Sequence, residues 1–397
     1  MKGLIYFDKN ILEPTGGPTG YLYNLYNELL KENIQEIDFL DSYKGNLKSK
    51  NKKIFYHLPK SFQTIYRKLK KYLKRYKILE DIFENKNKKA NIDIDKYDFI
   101  HFHSTVDMYM VKDSLKDYKG KVILTSHSPK AQFKEIIEDR TELKYYLKRK
   151  NDFDKLEEVD KYAFNRADII IFPCEDAEEP YYNTWEDYKK IKEINKYKYM
   201  YLPTGILPID IEDNTDEIRE RYNIPKDAFV ISYVGRHNEV KGYDSLKKIG
   251  KKILEKNENI YFLIGGNEHP ITRLENKHWI EVGWTNKAHQ LIQASDVFIL
   301  PNKETYFDLI LLEVLSIGKP VILTNTGGNK YFKKFDKAGL YYYDYNNTDQ
   351  VIEIIKEIQK EDLKKLGNIN KKIMNENFTT EIFVKNYLKI INEIIKK

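Results

Sequence analysis

Several side chains able to do chemistry fall at positions where a sheet edge would gather them. His127 closes the run KVILTSH, while Arg236 and Lys241 follow FVISYVG in the stretch VGRHNEVKG. Both runs read as parallel strands, and the carboxyl ends of such strands are where open α/β sheets bind ligands. An Arg that forks onto two oxygens and a Lys that supplies a mobile point charge can converge on a diphosphate. A third group lies in NKETYFDLILLEVLSIGKP, residues 302–320, where a helical pattern opens on Glu304, Thr305, Phe307 and Asp308 and carries Glu313 among leucines. A carboxylate in an apolar run must be paired, hydrogen-bonded or protonated. Gly16 and Gly17 follow the first strand and precede a helix start near Thr19, so bare backbone amides there can meet an anion.

Taken singly, each feature has a plain structural reading as well. A glycine pair can be only a turn, a lysine only solvated surface, and a histidine only a buried hydrogen-bonder. His101 and His103 in FIHFHS alternate on one strand face like a zinc pair, but no third ligand stands at a recognisable spacing. The spacing of Arg236 and Lys241 with Gly235 and Gly242 is more telling than any of them alone.

Elements able to position these groups recur along the whole chain. The strand candidates are GLIYFD, EIDFLD, KIFYHL, FIHFH, KVILTSH and DIIIFPC in the first half, then FVISYVG, IYFLIGG, IEVGW, VFILP, PVILTN and GLYYYD in the second. Helical patterns separate them, which predicts βαβ units and two Rossmann-like α/β domains. Pro203, Gly205 and Pro208 punctuate the stretch between the two series. We therefore expect one domain over 1–204, a second over 205–377, and a closing helix over 378–397 able to pack back toward the first.

A chain of 397 residues is long enough for two such cores. One cysteine, Cys174, excludes an intrachain disulfide and reads as an inert buried thiol. No apolar run approaches the roughly 18 residues of a membrane span, and Met1 leads directly into a strand pattern, which predicts a cytoplasmic protein. The net charge is +7, and residues 60–77 alone hold eight basic residues and no acidic one. At helical spacing this segment is basic and amphipathic with tyrosine edges, which suits the anionic face of a membrane. No recognition motif accompanies the charge, so nucleic acid is not the expected partner.

Taken in order, GGPTG, TSHSP, LPTGI, VGRHNEVKG, FLIGG, VGWTNKAHQLIQASDVFILP, YFDLILLEVLSIGKPVILTNTGG and FTTEIFVKNYLKI resemble the GT-B glycosyltransferases over nearly the whole chain. The resemblance is to the retaining family 4, glycosyl transferases group 1. It implies two Rossmann-like domains facing each other across a cleft, with the acceptor held by the first and a nucleotide-sugar, UDP-linked, by the second. By the same resemblance His127 lies beside the donor sugar, Arg236 and Lys241 hold the diphosphate without a metal, and Glu313 holds the ribose. Gly16, Gly17, Gly235 and Gly265 line the donor site, Trp284 neighbours the base, and the amides of Phe307, Asp308 and Leu309 face the sugar and phosphates.

One corner departs from the family pattern. The family's first Glu stands eight residues before the second, which here is Thr305, with Glu304 one residue earlier and Asp308 where a Gly is usual. Either Thr305 takes that role or a local bulge brings in Glu304. The implied reaction is transfer of a hexose or N-acetylhexosamine to a glycan or polyprenyl-linked acceptor in surface polysaccharide assembly. A sugar-nucleotide epimerase and a non-catalytic partner protein of the same fold are the alternatives.

Overall fold

The computed structural model describes residues 1–7, 12, 17–40, 92–138, 150–212, 214–256, 259–335 and 337–396. Gly16, the strand expected at KIFYHL and the basic segment 60–77 lie outside the described residues. Among the described residues, two six-stranded sheets form, and every neighbouring pair of strands is parallel. The first sheet contains β1 (Gly3–Tyr6), β2 (Ile37–Phe39), β3 (Phe99–Phe102), β4 (Lys121–Leu124), β5 (Ile169–Phe172) and β6 (Tyr199–Tyr201), in the order β2-β1-β3-β4-β5-β6. The second contains β7 (Phe229–Val234), β8 (Ile260–Gly265), β9 (Trp279–Gly283), β10 (Val297–Leu300), β11 (Val321–Thr324) and β12 (Leu340–Tyr343), in the order β12-β11-β10-β7-β8-β9.

β3, β10 and β11 are buried at every residue, as strands covered by helices on both faces must be. Their sequences are accordingly near-continuous apolar runs, with His101 and Thr324 the two polar residues inside them. β6 has no counterpart among the strands read from sequence. It is a three-residue edge strand, half exposed and set among lysines, so it carries neither an apolar run nor a clear alternation.

The closing helix Thr380–Lys396 returns to the first sheet. Phe383, Val384, Tyr387, Ile391 and Ile394 join Ile5, Leu22, Leu25 and Phe99 in one core. Glu28 accepts a hydrogen bond from the Thr380 hydroxyl at 2.6 Å, a link between the first long helix, Pro18–Lys31, and the last. Where this return begins, Ile206 pairs with Thr379 in an isolated parallel bridge. We propose that the change of unit falls here, at 204/205 and 377/378, because the chain crosses twice at one place.

Candidate functional site

Lys241 and Asp308 meet at the carboxyl edge of the second sheet. Lys241 stands in the loop after β7, and its Nζ lies 2.6 Å from Asp308 Oδ1. That loop is pinned to the segment after β10: Gly242 has φ +67°, and a Cβ there would lie 1.6 Å from the Pro301 carbonyl oxygen, so only glycine fits. Lys303 N–H donates to the Val240 carbonyl at 3.1 Å, a second link between the two loops. Arg236 stands exposed in the same loop, and no carboxylate among the described residues pairs with it. Gly235 N–H donates to the Gly265 carbonyl at 2.9 Å, and Gly266 N–H to the Gly283 carbonyl at 2.8 Å, so the ends of β7, β8 and β9 form a continuous backbone floor.

The helix in the 302–320 stretch runs Leu309–Ile317, with Asp308 as its N-cap residue and Gly318 ending it in the left-handed region. This corrects the expected helix start. Phe307 precedes the helix and is buried against Phe332 at 5.4 Å, so the first helical amides are those of Leu309 and Ile310. Asp308 does not cap its own helix; its second oxygen accepts from Asn302 Nδ2. Glu313 is not enclosed by its leucines. It leaves the buried side of the helix and pairs with His289 at 3.0 Å, with about a quarter of its side chain exposed.

Glu304 and Thr305 both face elsewhere. Glu304 Oε2 lies 2.9 Å from Lys130 Nζ, a residue of the loop after β4. Thr305 is 2% exposed, and its hydroxyl is sealed with no hydrogen-bond partner. The seal is the turn at Gly327 and Gly328, whose backbone packs so closely that a Cβ would meet the carbonyl oxygens of Thr305 and Tyr306 at 2.1 and 2.0 Å.

On the first sheet, His127 follows β4, and its Nε2 lies 2.8 Å from His103 Nδ1. His103 in turn lies against His101, with ring centroids 4.1 Å apart and the planes tilted by 36°, and Tyr21 sets its ring edge against His127 at 4.7 Å. His101 is held between Thr125 Oγ1 at 2.8 Å and Tyr387 Oη at 3.1 Å. Burial lowers its pKa to about 3 and lowers that of His103 well below the usual histidine value, so both rings are neutral near pH 7. Gly17, with φ +79°, is the N-cap of Pro18–Lys31, so the helix begins one residue before the expected Thr19.

Trp284 is 72% exposed, so it is not a core tryptophan; Trp279 fills that place. Cys174 is buried, and burial pushes its thiol up to about 12. The loops at the carboxyl edges of both sheets touch through Lys130–Glu304 and through Glu179, which pairs with Lys330 and accepts from the Thr326 hydroxyl at 3.3 Å. Sequence reading missed Lys130, Glu179, His289 and Asn302 as members of this cleft. Lys130 stands three residues past His127, but its partner lies on the other sheet, and only the fold brings the two together.

Two parallel α/β sheets that meet at their carboxyl edges define a GT-B fold. Sucrose-phosphate synthase from Thermosynechococcus elongatus shares it with a TM-score of 0.62, 16% identity, and coverage of 99% of this chain and 98% of that one. Anabaena Alr3699/HepE in complex with UDP and glucose does so with a TM-score of 0.59, 11% identity, and 99% of both chains. The family model Glycosyl transferases group 1 matches residues 214–375 of this chain. A UDP-Gal:alpha-D-GlcNAc-diphosphoundecaprenol alpha-1,3-galactosyltransferase of Escherichia coli is 25% identical over 200 residues. That alignment covers 46% of this chain and half the length of the relative.

Proposed function

We propose that the protein is a retaining, metal-independent glycosyltransferase that moves a hexose or N-acetylhexosamine from a UDP-sugar to a glycan or polyprenyl-linked acceptor. The observation that carries this is the meeting of Lys241 with the start of the Leu309–Ile317 helix, at the sheet edge where Arg236 is exposed. Cations beside a helix N-terminus stabilise the charge that develops on a departing diphosphate. Glu313 then binds the ribose, and exposed Trp284 meets the base. His127, fixed by His103, orients the donor sugar.

In the reaction the acceptor oxygen forms a bond to the anomeric carbon as the bond from that carbon to the diphosphate oxygen breaks. The acceptor's proton passes to the departing diphosphate on the same face of the sugar. The protein needs to supply positive charge and alignment rather than a carboxylate pair.

The names of similar proteins support a role in surface polysaccharide assembly; on this reading the protein works at the inner face of the cell membrane. We propose that residues 60–77 make the membrane contact; reversing Lys70, Lys71, Lys74 and Arg75 to Glu should abolish binding to anionic vesicles. Among the described residues no helix is long and apolar enough to cross a membrane.

The purified protein should turn over at least one sugar from a panel of nucleotide-sugars. Arg236→Ala and Lys241→Ala should each cut that turnover about a hundredfold while leaving the chain folded. A folded double variant with near-normal transfer would overturn the assignment. Absence of turnover with every donor would favour the non-catalytic reading.

A further inference from the structure

Asp308 is an unusual neighbour for a diphosphate. Its carboxylate stands at the first turn of the Leu309–Ile317 helix, is not used as that helix's cap, and holds Lys241 at 2.6 Å. Its other oxygen is anchored by Asn302, which is fully buried and cannot swing away. The carboxylate is therefore fixed beside the cation rather than free to leave when an anion enters.

A fixed carboxylate has opposite effects on the two nucleotide species that such a cleft would meet. A bare nucleoside diphosphate brings only more negative charge, which repels Asp308 and must compete with it for Lys241. A nucleotide-sugar brings hydroxyl groups as well, and a carboxylate accepts hydrogen bonds from hydroxyls through lone pairs that Lys241 and Asn302 leave available. The other acidic side chain at this corner is directed elsewhere, since Glu304 is engaged with Lys130, and the Thr305 hydroxyl is sealed.

We propose that Asp308 determines selectivity in this cleft, favouring the sugar-bearing donor over the bare nucleoside diphosphate by withholding Lys241 from the latter and accepting a sugar hydroxyl from the former. This rests on the reading of the cleft as a nucleotide-sugar site. Asp308 thereby speeds release of the diphosphate product and limits its inhibition of the enzyme.

Calorimetry with matched pairs, UDP with UDP-glucose, GDP with GDP-mannose and ADP with ADP-glucose, tests it on the wild-type chain, Asp308→Asn and Asp308→Gly. For the pair that binds, both variants should hold the bare diphosphate about tenfold more tightly than wild type. The ratio of donor to diphosphate affinity should fall about tenfold or more. Thermal melting establishes that each variant is folded, and Asp308→Gly keeps the test open if Asp308→Asn is not. A folded variant with an unchanged ratio, or with weaker diphosphate binding, overturns the inference while wild-type donor binding leaves the proposed function standing. Failure of every pair to bind wild type overturns both.

Discussion

Lys130 Nζ lies 2.9 Å from Glu304 Oε2, joining the loop after β4 of the first sheet to the segment after β10 of the second. The lysine side chain is only 5% exposed, so neither charge can be removed without leaving the other partly desolvated. Lys130→Met and Glu304→Gln should each cost about 3 kcal/mol. The double variant should cost less than their sum, with a coupling of about 1–3 kcal/mol. Thermal or urea denaturation of the four proteins measures this, and strictly additive losses would show that the pair does not join the two sheets.

Glu313 and His289 define a second relationship, with their side chains 3.0 Å apart at the cleft rim. If Glu313 accepts from ribose hydroxyls, Glu313→Gln should weaken UDP binding about tenfold, as loss of a charged acceptor does. A 2′,3′-dideoxy nucleoside diphosphate should bind wild type and variant alike. Equal weakening for both ligands would instead mean that Glu313 acts on the pocket through His289.

What the sequence revealed about this site, and what it hid, follows from separation along the chain. The strands β7, β8, β10 and β11 and the helix after β10 are strong local patterns, and Arg236, Lys241 and Glu313 sit at fixed offsets from them. β6 was hidden because an edge strand needs no apolar run. The fate of Glu304, Thr305 and Asp308 was hidden for another reason: Lys130, Gly327 and Lys241 reach them from other loops. Exposure of Trp284 likewise depends on where β9 ends, not on its apolar character.

Thr305 tests the corner directly. Its register suggests contact with the donor sugar, and on that view Thr305→Val would weaken donor binding. With the hydroxyl sealed under Gly327 and Gly328 and without a partner, valine should leave donor affinity unchanged and raise stability by up to about 1 kcal/mol. Calorimetry beside denaturation separates the two: a donor affinity reduced tenfold would show that the turn opens and that Thr305 reaches the sugar.

Asp160 supplies a pH test away from the cleft. It is 1% exposed, and its Oδ2 accepts from Phe133 N–H at 2.7 Å. Burial, the largest influence, raises its pKa from 3.8 to about 7, against the opposing hydrogen bonds. The folded chain thus retains a proton there up to about pH 7, whereas the unfolded chain releases it near pH 4. Between those values the unfolded state binds fewer protons, so this residue's contribution to stability falls as pH rises and levels off above about pH 7. Asp160→Asn keeps an acceptor for Phe133 and cannot ionise, so its stability relative to wild type should climb across that window, by on the order of 2–4 kcal/mol in all. His101 and His103 impose the opposite slope on both proteins, because their lowered pKa values make stability fall as pH drops below the usual histidine range, and that slope cancels in the comparison. Urea denaturation at pH 5, 6, 7 and 8 reads the difference, and parallel curves for the two proteins would show that Asp160 is already ionised in the folded chain.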